Sequence, residues 1–320
     1  MLTLIPELQN RGWDCRVETF PNGRYVRRII ERRHALRAAD LLVLHRIKPS
    51  PLEYGLLRRL SRTIVYDVDD AIYYRRPRRL GDPPDRGWFR TYKFLRTCAL
   101  ADLVVVCNRT LKQVAERAGR PVEIAPTPVD LSNYESVRTE AKQAMTIVWI
   151  GLPENLVYLE MVRPVLTRLR ARYPGLKLRV ISSHFPDWKE CPVEAVQWSS
   201  EVEATSLVTA GIGIMPLPDD EWTRGKCAFK LLQYMAAGLP CVGSAVGANL
   251  EAIEHGVNGF LAAEPEDWER ALVALLDDRD LAARMGRAGR RTIRGRFDIS
   301  VVAPRVADMV EAAANRAPSV

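Results

Sequence analysis

Apolar positions in this chain alternate between short unbroken runs and runs spaced by three or four residues, and the switch recurs along most of its length. Residues 4–9 carry helical spacing, 15–20 an extended pattern, 25–37 a helix and 40–45 a short buried strand. Residues 54–60 are again helical, 63–68 a strand, 89–98 a helix, 102–107 a strand, 109–118 a helix and 122–125 a strand. Unbroken apolar strands separated by helices of a few turns predict a parallel sheet covered on both faces. Pro126, Pro128 and the polar stretch 130–143 then interrupt the pattern and mark an interdomain connection.

The pattern restarts at 146–150. A helix over 155–173 places Leu159, Val162, Leu166 and Leu169 on one face, with Pro164 a candidate kink. Strands at 176–181 and 210–215, a helix at 226–237, a strand at 240–243 and a terminal group of helices follow. The fold class is α/β, two doubly wound Rossmann-like domains facing across a cleft. The expected boundaries are 1–143 for the first domain and 144–297 for the second. Residues 298–320 form a C-terminal helix and tail expected to pack back on the first domain.

Charge is unevenly divided. The formal net charge is +8; residues 1–140 hold 26 Lys or Arg against 17 Asp or Glu, and residues 141–320 hold 21 against 22. The basic field therefore belongs to the first half, densest from Arg24 and from Tyr73 onward. A solvated basic face or attraction to anionic acceptors, lipid headgroups or nucleic acid both fit it. No zinc, helix-turn-helix or aromatic-platform signature favours specific nucleic-acid binding, and no GxGxxG follows an opening strand to suggest a nicotinamide enzyme. The six cysteines lack metal-ligand spacing, so neither disulfides nor zinc are expected. No apolar run reaches membrane-spanning length and the opening residues lack the regions of a secretory signal, which predicts a cytoplasmic protein.

The candidate chemistry concentrates in 211–262. On a helix beginning at 226, Lys226, Lys230 and Gln233 fall at offsets of four and seven, hence on one face. Lysines at a helix start oppose the helix dipole, so they point to a bound anion such as phosphate; a solvated lysine pair is the plainer reading. Gly243, Gly247, Asn249 and Glu251 lie where a strand gives way to a helix. The glycines permit close backbone approach, and Glu251 can accept from a sugar or ribose hydroxyl. A helix cap without a ligand accounts for the same residues.

These segments resemble the glycosyltransferase family 4 group, retaining nucleotide-sugar transferases of GT-B architecture. The resemblance is carried in order by AADLLVLHR, TIVYDVDDAIYY, ADLVVVCN with IAPTPVD, TIVWIG with NLVYL, and GKCAFKLLQYMAAGLPCVGSAVGAN. It implies a hexosyltransferase-like enzyme that binds its nucleotide-sugar donor mainly on the second domain. The acceptor, a glycan or lipid-linked molecule of surface polysaccharide synthesis, approaches through the first domain, with peripheral attachment at the anionic inner membrane face. Gly151 would open the turn at the phosphates, Lys226 and Lys230 would neutralise diphosphate, and Gly247 with Asn249 would back the donor. A GT-B sugar-nucleotide epimerase is the alternative; oligomeric state is not legible.

The chain also departs from that pattern. Where many relatives carry an arginine and a lysine after the restart strand, it has Leu152, Pro153, Glu154 and Asn155, leaving Asn155 as a candidate donor contact. Of two glutamates eight positions apart it has Gly225 and Gln233, so the earlier carboxylate role falls to Asp219, Asp220 or Glu221. Where relatives place a histidine facing the transferred sugar it has Asp67, Asp69 and Asp70, Asp69 being nearest that position. His45 and Arg46 end the preceding strand as sugar or acceptor-phosphate contacts, or His45 is structural. Adjacent carboxylates also suit Mg2+, but the lysine pair offers the same charge compensation, so no metal or other cofactor is expected. The chain opens on a helix where such domains begin with a strand, so the first strand of domain one is expected to be missing or replaced.

Overall fold

A computed structural model of the protein describes residues 4–19, 25–77, 79–85, 87–137 and 143–316. The first domain runs α1 (Ile5–Asn10), α2 (Tyr25–Glu31), α3 (Arg33–Ala38), β1 (Leu41–His45), α4 (Pro51–Leu60), β2 (Thr63–Val68), α5 (Trp88–Leu100), β3 (Leu103–Val106), α6 (Arg109–Ala115) and β4 (Val122–Ile124). Its strands pair in parallel in the order β1-β2-β3-β4, and β2 and β3 are buried along their whole length. Burial on both faces explains the unbroken apolar run of β3 and the largely apolar sequence of β2, in which Thr63 and Asp67 are the polar positions.

After the connecting helix α7 (Ser132–Glu135) the second domain runs β5 (Thr146–Ile150), α8 (Arg163–Arg172), β6 (Lys177–Ser182), β7 (Val193–Gln197), α9 (Ser200–Val208) and β8 (Ile212–Met215). It continues through α10 (Phe229–Ala236), β9 (Cys241–Ser244), α11 (Asn249–Ala252), β10 (Phe260–Ala262), α12 (Pro265–Asp277) and α13 (Arg279–Thr292). The sheet is parallel throughout, in the order β10-β9-β8-β5-β6-β7. Two apolar clusters fill its faces: one is built around α10, and the other around α8, α12 and Trp149. Gly213 belongs to this packing, because a Cβ there would fall 2.3 Å from the Tyr234 ring.

Helix α14 (Ile299–Arg316) carries the chain back to the first domain, where Val302, Val306 and Val310 cluster with Leu8 of α1 and with Leu4 just before it, and Ala313 with Val65 and Val105. The two crossings between domains lie side by side. Val129 N donates to Phe297 O and Ile299 N to Val129 O, each at 2.9 Å. The buried Asp298 carboxylate accepts from Leu131 N at 3.0 Å.

Several elements differ from the sequence reading. The helix expected over 155–173 is a 3-10 segment, Pro153–Met161, followed by α8; Pro164 sits in the first turn of α8, where its missing N–H costs nothing, and starts the helix instead of kinking it. Residues 13–19 form no strand, Val17 being well exposed, and Phe20 lies outside the described residues. Strand β7 and helix α9 were not foreseen, because β7 is a half-exposed edge strand whose sequence, VEAVQ, lacks an apolar run. Among the described residues no strand precedes α1.

Candidate functional site

The carboxyl ends of the two sheets face each other, as ligand sites in open α/β sheets require. Contacts across the gap are direct. Asn108, which caps α6, donates from Nδ2 to Lys226 O at 2.9 Å and to Arg224 O at 3.3 Å. Gly225 lies so close to the first domain that a Cβ would fall 2.5 Å from Ala71 Cβ. Arg76 Nη1 stands 4.0 Å from Glu154 on the opposite wall.

Lys230 occupies the first turn of α10, with Nζ 5.7 Å from the centroid of the buried Trp149 ring. Gly151 makes this placement possible, since a Cβ there would lie 2.7 Å from Lys230 Cε and 2.8 Å from the Trp149 ring. Burial, then the neighbouring charge of Lys226, pushes the Lys230 ammonium down to about 8. Lys226 itself is not helical. Its backbone is extended, Ala228 behind it takes a left-handed turn at φ 55, and α10 starts only at Phe229. Lys226 therefore does not share a helical face with Lys230 and Gln233. The two charges nevertheless converge, with Lys226 Nζ held 5.3 Å from the Trp222 ring centroid.

Arg76 adds a third cation from the first domain; among the described residues its buried Nε has no hydrogen-bond partner, and its charge also acts on Lys230. Only its basic neighbourhood was legible in the sequence. Trp222 Nε1 is likewise buried without a partner among the described residues. Two unsatisfied donors beside a lysine pair suit a ligand rich in acceptor oxygens.

The carboxylates are more committed than the sequence suggested. Asp69 forms a two-point ion pair with Arg46, whose backbone adopts φ 55 at the end of β1. His45 and Asp67 are opposite one another in the β1–β2 register, which brings His45 Nδ1 to 2.7 Å from Asp67 Oδ2. In the acidic loop, Asp219 is taken by Arg224 at 2.7 and 3.0 Å, and Asp220 accepts from Thr223 N at 2.7 Å to close a turn. Glu221 is exposed beside Arg224.

The remaining candidates separate into two groups. Gly247, at φ 53, passes close to Arg224, whose carbonyl a Cβ would meet at 2.6 Å, so it fixes the wall of the site. Asn155 is buried in the 3-10 turn after Gly151. The others are engaged elsewhere: Asn249 Nδ2 donates to Ser244 O at 2.9 Å, Glu251 accepts from Arg109 N of the first domain at 3.2 Å, and Gln233 Nε2 donates to Glu203 Oε1 at 2.6 Å. Glu203, unforeseen, also accepts from Trp198 Nε1 at 2.7 Å.

The basic stretches are partly neutralised. Arg27 and Arg28 both reach Glu31, Arg32 pairs with Glu18, and Arg33 donates to Ile30 O. Arg24 and Arg78 lie outside the described residues. A cavity of ≈ 1030 Å³ at the amino ends of the first sheet is lined by Arg37, Arg59, Asp102 and Arg316, and by none of the candidate residues.

Residues 145–278 match the family model described as Glycosyl transferases group 1. Over 220 residues the chain is 24% identical to the D-inositol 3-phosphate glycosyltransferase of Nocardia farcinica (strain IFM 10152), covering 58% of this chain and 48% of that one. It spans less than half the length of the curated relatives it matches. Among solved structures, sucrose-phosphate synthase from Thermosynechococcus elongatus superposes with a TM-score of 0.68 at 14% identity, covering 92% of this chain and 80% of that one. Anabaena HepE in complex with UDP-glucose does so with a TM-score of 0.66 at 13% identity, covering 96% and 88%. The chain is therefore a two-domain GT-B protein related, through its second domain, to the group 1 glycosyl transferases.

Proposed function

We propose that the protein is a retaining glycosyltransferase that moves a hexose from a nucleoside-diphosphate sugar to a glycan or lipid-linked acceptor in surface polysaccharide synthesis. The observation that carries this reading is the convergence of Lys226 and Lys230, with Arg76 opposite, at the carboxyl end of β5. A diphosphate leaving group gains negative charge as the glycosidic bond breaks, and fixed cations in a partly desolvated cleft stabilise that charge more than the ground state. The solved GT-B structure of HepE in complex with UDP-glucose supports a nucleotide-sugar as the ligand class. Asp69, oriented by Arg46, and His45, oriented by Asp67, stand on the first-domain wall as sugar and acceptor contacts.

The acceptor side is the first domain. Among the described residues no helix is long and apolar enough to cross a membrane, so attachment to an anionic inner membrane face would be peripheral. Binding to anionic but not neutral vesicles, weakening with salt, is expected; equal binding to both removes the membrane component.

The test of the central reading is calorimetry with UDP, GDP and ADP, followed by donor turnover with product anomers read by NMR before mutarotation. Saturable binding of one nucleotide, lost in a folded Lys226→Ala, Lys230→Ala double variant, and a product of unchanged anomeric configuration are expected. Binding unaffected by the double substitution refutes the site. An inverted anomer refutes retention, and conversion of the donor sugar without acceptor marks an epimerase.

A further inference from the structure

We infer that Cys107 and Cys227 form a modification site, a thiol pair that a low-molecular-weight disulfide oxidises to a covalent bridge between the two domains. The pair is assembled from opposite sides of the cleft. Cys107 follows β3 directly and is buried, its Sγ 3.4 Å from Asp69 O. Cys227 precedes α10 in the second domain yet packs against the first domain's apolar cluster, of which Cys107 is a member. Their chain neighbours are locked together by the hydrogen bond from Asn108 Nδ2 to Lys226 O at 2.9 Å.

The surroundings divide the labour between the two sulfurs. A hydrogen bond from Cys107 outweighs burial and, with a further one from Thr127, brings the Cys227 thiol down to about 7. The same pairing and its own burial push Cys107 up. Lys230 and Arg46 both feel the Cys227 charge, so its thiolate sits in an electropositive setting. By contrast burial pushes Cys98 and Cys241 up to about 12, and raises Cys15 and Cys191. Cys227 is partly exposed and is thus the sulfur suited to attack.

The chemistry balances as thiol–disulfide exchange. The Cys227 thiolate attacks one sulfur of the small disulfide and expels the other as a thiolate, which takes up a proton. Cys107 then gives up its proton and attacks the Cys227 sulfur, expelling the second small thiol. The protein loses two electrons, the small disulfide gains two, and two small thiols are released. The product ties the loop carrying Lys226 to the end of β3 and prevents the domains from separating there.

The test uses the native full chain and oxidised glutathione, with non-reducing peptide mapping by mass spectrometry. Release of two glutathione thiols per chain, a Cys107–Cys227 linked peptide pair, and reversal by dithiothreitol are expected. A Cys107→Ser variant, its fold checked by circular dichroism, should stop at glutathione bound to Cys227, and Cys227→Ser should acquire neither adduct nor bridge. A native chain that stays unlinked at glutathione disulfide concentrations that link the urea-unfolded chain overturns the inference, as does preferential linkage of any other pair. Because the readout is mass, sugar transfer can fail without affecting it.

Discussion

Lys230 Cε lies 2.7 Å from where a Cβ on Gly151 would stand, so the glycine at the end of β5 and the lysine at the start of α10 occupy one space. Gly151→Ala should displace the ammonium from Trp149 and weaken nucleoside-diphosphate binding roughly tenfold, about 1.4 kcal/mol. Calorimetry of the variant checks this, with a melting curve to show that the fold persists. Unaltered affinity would mean that Lys230 does not bind the ligand.

The depressed Lys230 ammonium makes binding proton-linked. A phosphate beside it restores the charged form, so complex formation above pH 8 should take up a proton, seen as a buffer-dependent heat in calorimetry. Lys230→Arg should abolish the buffer dependence. The folded value lies below the ordinary 10.5, so between about 8 and 10.5 the unfolded chain holds more protons and Lys230's contribution to stability rises with pH. Lys230→Met should flatten that rise in a melting series.

Gln233 and Glu203 should behave as one unit. Gln233→Glu sets two carboxylates within hydrogen-bonding distance and should cost about 1–3 kcal/mol, read as a lower urea midpoint. Adding Glu203→Gln restores a donor and an acceptor and should recover most of the loss. Additive losses in the double variant would show that the pair is not coupled.

Asp298 gives the molecule an acid-sensitive joint. Burial raises its carboxyl, but hydrogen bonds from the Ser300 side chain and amide and from Leu131 N outweigh it and hold the group below its ordinary 3.8. The stabilisation is present above that ordinary value and is lost as pH falls through the lower folded value. Asp298→Asn should lower the melting temperature at neutral pH and flatten its acid limb. An identical acid limb in the variant would place the titration elsewhere.

The residues show which parts of the architecture were readable in sequence. Thr63–Val68 and Thr146–Ile150 were found at their observed bounds because strands buried on both faces are mostly apolar, with β-branched and aromatic residues dominating both runs. Val193–Gln197 escaped because an edge strand need not be. For the site, residue types and order located the cleft, but pairings did not follow. Arg46 takes Asp69 across 23 positions and Gln233 meets Glu203 across 30, distances at which only the folded chain decides who neutralises whom. Lys226 was misplaced on a helix because periodicity does not register the left-handed turn at Ala228.

The paired crossings at Val129 and Phe297–Ile299 make the second domain a cassette inserted into the first. Its entry and exit segments touch through two backbone hydrogen bonds of 2.9 Å, while α14, beyond the exit, belongs to the first domain's packing. The first domain is thus discontinuous in sequence and continuous in space. A chain with residues 132–296 replaced by a short flexible link should still close the first domain's sheet under α14, whereas truncation before Ile299 should leave Val65, Val105 and Leu8 uncovered.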